Sequence, residues 1–97
     1  MKGEAIGFEE VIVDSAAVSL NPAIYNPANG APAAKAFIMA EGGDMRYRVD
    51  GQNPTASTGH LLMDSDFLDL ENIYLVRKFR AIKASGLAGK LSVTYEA

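Results

Sequence analysis

MRYRVDGQNPTASTGHLL, residues 45–62, opens in strict alternation, with Met45, Tyr47 and Val49 on one side and Arg46 and Arg48 on the other. A period of two is what a half-buried β-strand requires, because successive side chains leave a strand on opposite faces. Asp50-Gly51 then supplies a turn: Gly tolerates positive φ, and the Asp side chain bonds its own backbone just beyond. Asn53-Pro54 adds a second turn signal, with Pro fixing φ and removing a donor. Thr55, Ser57, Thr58 and Gly59 form a polar loop whose hydroxyls can satisfy backbone groups. His60-Leu61-Leu62 brings the chain back to apolar packing. The stretch reads as strand, long structured loop, strand.

On its N-terminal side, residues 8–13 (FEEVIV) read as a first strand from their β-branched content, and residues 16–20 as a short second one. Residues 21–34 hold Pro22, Pro27 and Pro32 together with Asn21, Asn26, Asn29 and Gly30. The prolines exclude a helix there and disfavour a central strand. That leaves an ordered connection crossing between two sheets, or a partner-binding loop, with Ile24 and Tyr25 pinning it to the body. Residues 35–41 (KAFIMAE) are apolar on both faces, as in a strand covered on both sides or one with an alanine-tolerant outer face. Gly42-Gly43-Asp44 predicts a hairpin turn into the strand that begins at Met45.

On the C-terminal side, Asp64-Ser65-Asp66 is a turn, FLDL (67–70) a short strand, and Glu71-Asn72 a bend. The β-branched and aromatic content of residues 73–83 favours strand over helix, with a break near Val76-Arg77. Residues 90–97 (KLSVTYEA) alternate cleanly, placing Leu91, Val93 and Tyr95 inward and Ser92, Thr94 and Glu96 outward. About eight short strands between turn signals predict an all-β fold: a small antiparallel β-sandwich, Ig-like or jelly-roll/Greek-key. It forms one domain over residues 1–97, with a flexible N-terminal arm at residues 1–7. The expected core is Phe8, Val11, Val13, Val18, Phe37, Met39, Met45, Tyr47, Val49, Leu61, Leu62, Phe67, Leu70, Phe79, Ala81, Leu91, Val93 and Tyr95.

Composition narrows the function classes. Hydrophobic residues at 48% and charged residues at 22% are those of a folded globular chain, which excludes wholesale disorder. The net charge of −3, with basic residues spread apart from Arg77, Lys78 and Arg80, argues against nucleic acid as a partner. There is no Cys, hence no disulfide framework or thiolate site. No apolar run reaches the ~18 residues of a membrane span, and MKGEAIGFEE lacks the apolar core of a secretory signal. The expectation is a chain made in a cytoplasm, with no membrane partner.

Catalytic chemistry is thin. A single His and no Cys rule out a cysteine nucleophile and a His-rich metal centre. His60, Ser57 and Asp50 offer the residue types of a triad, but nothing supplies the donor pair and cleft a triad needs. His60 reads instead as a structural residue bonding loop backbone. Asp64, Asp66 and Asp69 lack the Gly and closing Glu of a calcium loop and read as a solvated turn. Arg46 and Arg48, two residues apart on a strand, either present a paired guanidinium to a carboxylate-bearing partner or pair across the sheet. The expectation is a non-enzyme with no cofactor and no metal.

RYRVDGQNPTASTGHLL, followed by Phe79-Arg80-Ala81-Ile82-Lys83 and then Leu91-Ser92-Val93-Thr94-Tyr95-Glu96, resembles a group of small virion structural proteins of tailed bacteriophages. The group pattern is RYR-x-DG-x-x-PT-x-x-x-GH-x-L, an F-x-AI strand and a final L-x-V-T-Y strand, and the likeness covers about residues 34–96. It implies a capsid decoration (cement) protein that binds and stabilises the assembled head and resides in the virion. Its partners would be the major capsid protein or other virion proteins, and it would form a homo-oligomer, with a trimer as one option. The first alternative is a head–tail connector or tail structural protein. Tyr47-Arg48-Val49-Asp50-Gly51 with Pro54-Thr55 is also similar to a turn in Ig-like modules attached to bacterial glycoside hydrolases. That likeness keeps a carbohydrate-binding accessory module as a second alternative, with Tyr25 and Tyr74 as its aromatic platform. Candidate partner contacts are Arg46, Arg48, Ile24, Tyr25, Glu4 and Phe8.

Overall fold

Almost every turn of the chain carries it from one layer to the other. The computed structural model describes residues 4–84 and 86–97. Among these it contains strands β1 (Ala5–Val13), β2 (Val18–Ser19), β3 (Lys35–Glu41), β4 (Met45–Arg48), β5 (His60–Leu62), β6 (Phe67–Leu70), β7 (Arg80–Lys83) and β8 (Gly89–Glu96). Two short helices, α1 (Pro22–Tyr25) and α2 (Ile73–Lys78), lie between them. The front sheet runs β1-β8-β3-β6 and the back sheet β2-β7-β4-β5.

All the pairings are antiparallel, and they include β1 with β8, β2 with β7, β3 with β6 and β4 with β5. Those four pairs are the arms of one long hairpin, rolled so that alternate pairs fall in alternate sheets. This is the β-sandwich the turn spacing predicts, in its jelly-roll form. The tip of the hairpin is the stretch 45–62, where Met45 faces Leu62 and Tyr47 faces His60.

The core lies between the two layers. Val13, Ile38, Met45, Ala81, Leu91, Val93 and Tyr95 are fully buried there, with Leu20, Leu70, Val76 and Phe79 almost so. Strand β8 places Leu91, Val93 and Tyr95 inward as its alternation predicts, but Glu96, expected outward, is buried. In β3 the expected core residues Phe37 and Met39 are the outward ones, and Ala36, Ile38 and Ala40 fill the interior. The reason is volume: Ala36 pairs with Tyr95 and Ala40 with Leu91, so small residues sit beside large ones and the layers close up. Phe8, Leu61 and Phe67, also expected inside, are exposed.

Three local readings need correction. Residues 73–78 form helix rather than strand, because the Asn72 side chain accepts from the Leu75 amide at 3.0 Å and starts a turn that buries Val76. Arg77 and Lys78 then sit in its last turn, where cations meet the negative end of the helix dipole. Residues 22–25 form a single helical turn despite the prolines, since Pro22 occupies the first position, where no amide donor is required. Asn21 caps it by accepting from the Ala23 amide. Gly42-Gly43 is not a hairpin turn but a corner, because β3 and β4 belong to different sheets.

Asn72→Ala should lower stability by ~1 kcal/mol, the usual value of an N-cap. The check is urea unfolding, and an unchanged midpoint would mean that packing of Val76 holds α2 without its cap.

Candidate functional site

The outer face of the front sheet gathers several exposed apolar side chains. Pairing sets its rows: Phe8, Thr94, Phe37 and Asp69 in one, and Glu10, Ser92, Met39 and Phe67 in the next. Ile12, Lys90 and Glu41 form a third. Phe8 is 59% exposed, Ile12 63%, Phe67 64% and Met39 42%, values that mark a face rather than scattered surface residues. The Phe37 and Phe67 rings lie 5.8 Å apart and tilted, a favourable aromatic contact. Ser92 and Thr94 of β8 run between the two apolar ridges as a lower, hydroxyl-bearing strip. At one end Lys90 bonds Glu10 at 2.9 Å and Glu41 at 3.1 Å. These carboxylates, Glu10 first, raise the Lys90 ammonium above its usual range.

The outer face of the back sheet is basic. Arg46, Arg48 and Arg80 project from it with Ser19, Leu61 and Ile82, and Arg48 stands directly opposite Arg80. Like charges facing each other across two strands destabilise the pair unless a counter-charge is near. Among the described residues only Arg48 has one: it forms a forked ion pair with Asp50, its Nε donating to Oδ1 at 3.0 Å. The hydrogen bond from Arg48 is the main cause that holds the Asp50 carboxyl below its usual range, and it raises Arg48 in turn. Arg46 donates to the Gly59 carbonyl at 3.2 Å, so it braces the tip loop instead of meeting a carboxylate across the sheet. The Nε atoms of Arg46 and Arg80 are buried with no partner among the described residues. Beside them an open cavity of about 410 Å³ is lined by Arg48, Val49, Asp50, Thr58, Gly59 and His60.

The other expected contacts fall elsewhere. Tyr25 is 7% exposed and packs its ring, tilted, against Tyr95 at 5.9 Å, a core residue and not a contact. That burial also breaks up the sugar platform expected of it with Tyr74, which is exposed and stands alone. Ile24 is half-buried and packs toward Gly7. Glu4 is exposed, and its carbonyl accepts from the Ala97 amide at 2.9 Å. Of the arm expected at residues 1–7, the first three lie outside the described residues, and from Ala5 the chain is already strand β1.

The three triad residue types are engaged separately. Asp50 serves Arg48 and the Gln52 amide, Ser57 bonds Thr55, and the His60 ring packs on Tyr47 at 5.3 Å. Asp64 accepts from the Gly42 amide and Asp66 from the Met63 amide, so both carboxylates cap turns.

Sequence reasoning singled out Phe8, Arg46 and Arg48 but missed Ile12, Phe37, Met39, Phe67 and Arg80 as surface groups. The one available signal was parity: Phe8 and Val11 cannot both face inward on a regular strand. Comparison with protein families, with curated proteins and with solved structures found no match.

Proposed function

We propose that this domain is a bacteriophage virion structural protein, a decoration (cement) protein that binds the assembled head and stabilises it. The observation that carries the reading is the apolar front face, with Phe8, Ile12, Met39 and Phe67 exposed on one rigid sheet. A domain that keeps such a face in water is suited to life as a subunit of a larger assembly. The likeness of residues 34–96 to virion structural proteins supports the same reading. So does the jelly roll, an architecture that viral capsid domains also use. The shell-facing contact is assigned to exposed residues of the connection between β2 and β3, such as Pro22, Asn26 and Asn29, while Tyr25 and Ala33 hold that connection to the core. The mechanism is mass action: the domain binds the assembled shell and not its dissociated subunits, and so favours the shell. Repetition over a lattice makes weak individual contacts sufficient.

The test is the copy number of this protein in purified particles, by quantitative mass spectrometry against the major capsid protein. Hundreds of copies per particle are expected for shell decoration. A single ring of copies would move the domain to the head–tail connector or tail, and absence from particles would sink both readings. The double variant Phe8→Ser/Phe67→Ser should reduce incorporation about tenfold or more, as loss of a multivalent contact does.

A further inference from the structure

We infer that copies of this chain pack front to back, the apolar face of β1-β8-β3-β6 on one copy against the arginine face of β2-β7-β4-β5 on the next. The inference rests on reading the front face as a protein-docking surface. It does not depend on which particle the domain joins.

Charge selects this arrangement. The front face carries Glu10, Glu41 and Asp69 against Lys35 and Lys90, a net of one negative charge, Glu96 being buried. The back face carries Arg46, Arg48 and Arg80 against Asp50, a net of two positive charges. Two front faces would bring surfaces of the same net sign together, whereas front on back brings opposite signs together, and like-charge apposition is unfavourable. A back face supplies what the front face lacks. Arginine stems cover apolar surface, their guanidinium planes lie well over phenylalanine rings, and their forks match carboxylates. Leu61, 46% exposed beside Arg46, adds an apolar centre to the back face. Arg80, which has no carboxylate partner among the described residues and stands opposite Arg48, would gain a counter-charge from the neighbour's Asp69 or Glu41.

Size sets the strength. Four strands about 4.8 Å apart and roughly six residues long make a face of roughly 400 Å². A stable pair usually buries about 800 Å² on each partner, so the contact is weak in isolation and gains force by repetition. Because the two surfaces differ, the contact is heterologous: each copy keeps one free front and one free back, which yields rings or open stacks.

Sedimentation velocity on the purified chain from micromolar to millimolar concentration should show growth beyond a dimer, weakening as salt is raised. Two variants separate the faces: Phe8→Ser/Phe67→Ser on the front, and Arg80→Glu on the back. The latter puts a carboxylate opposite Arg48 and so favours folding. Each alone should stay monomeric, and an equimolar mixture should form a one-to-one complex and nothing larger, since only one intact front and one intact back remain per pair. A wild-type chain that stays monomeric overturns the inference. So does an Arg80→Glu chain that still self-associates, or wild-type association that strengthens with salt, since both point to front-on-front contact. Failure here leaves the copy number in particles untouched, so the two readings fall separately.

Discussion

Tyr95→Ala is expected to lower stability by about 4 kcal/mol, the usual loss when a large buried aromatic is cut back. For a chain of this length the whole stability is on the order of 5–15 kcal/mol, so the variant should be marginal at best. Tyr95 is fully buried on β8, in tilted ring contact with Tyr25, and paired across the sheet with Gly7 and Ala36. Both neighbours are small, and Tyr95 fills the space they leave. Its hydroxyl donates to the Glu9 carboxylate, which also accepts from the Asn21 amide. One side chain thus ties β1, β8 and the start of α1 together. Tyr95→Phe removes only the hydroxyl and should cost about 2 kcal/mol, the value of a hydrogen bond to a charged group. Urea unfolding of the two variants separates packing from bonding. Equal losses would mean that the ring contributes little beyond its hydroxyl.

The same phenol makes stability sensitive to alkali. Burial first, and then the bond to Glu9, push the Tyr95 hydroxyl well above its ordinary range near 10. The folded state therefore holds a proton that the unfolded chain releases from about pH 10 upward. Below that pH both states are protonated and the contribution is fully present. Above it the unfolded state binds fewer protons, so stability falls as pH rises toward the folded value. Tyr95→Phe should flatten this alkaline loss while leaving the behaviour at neutral pH parallel to wild type.

The parts of the fold visible in the sequence are those where one face is apolar and the other polar. Strand β8 and the stretch 45–62 announce themselves this way, and together they contribute the last strand and the hairpin tip. Strand β3 does not, because KAFIMAE is apolar on both sides. Its orientation is decided by volume across the sheet, where Tyr95 and Leu91 leave room only for Ala36 and Ala40. The helix α2 was hidden for a related reason. Ile73, Tyr74 and Val76 favour strand by propensity, and the Asn72 cap with the burial of Val76 overrides them. The candidate site was least legible of all, because an exposed Phe reads like a core Phe until pairing places Phe8, Phe37 and Phe67 on one outer face. The arginine face was half legible: Arg46 and Arg48 share a strand, whereas Arg80 joins them only through the pairing of β4 with β7.

Both faces depend on the corner that carries the chain from the front sheet to the back, and Gly43→Ala should break it, at about 3 kcal/mol or somewhat more. A Cβ at Gly43 would lie 2.5 Å from the Leu87 carbonyl oxygen and 3.3 Å from the Ala88 carbonyl. These are backbone atoms on the approach to β8, so no side chain can swing aside to make room. Gly89 faces the same corner: its Cβ would meet the Gly43 carbonyl oxygen at 3.0 Å and the Met45 Cε at 2.9 Å. The Met45 methyl is the end of a flexible chain and can move, which makes Gly89→Ala the milder change. Gly86 is the control, since a Cβ there meets nothing within 4 Å and the strain comes only from its φ of +60°. Gly86→Ala should therefore cost about 1 kcal/mol, the penalty of a left-handed conformation for an L-residue. Thermal unfolding should rank the losses Gly43→Ala, then Gly89→Ala, then Gly86→Ala. Because β3 ends and β4 begins at this corner, a folded Gly43→Ala chain should also shift the front face relative to the back and weaken self-association more than its stability loss explains. An equal cost at Gly43 and Gly86 would show that the corner opens freely, and the two faces would then be positioned by strand pairing alone.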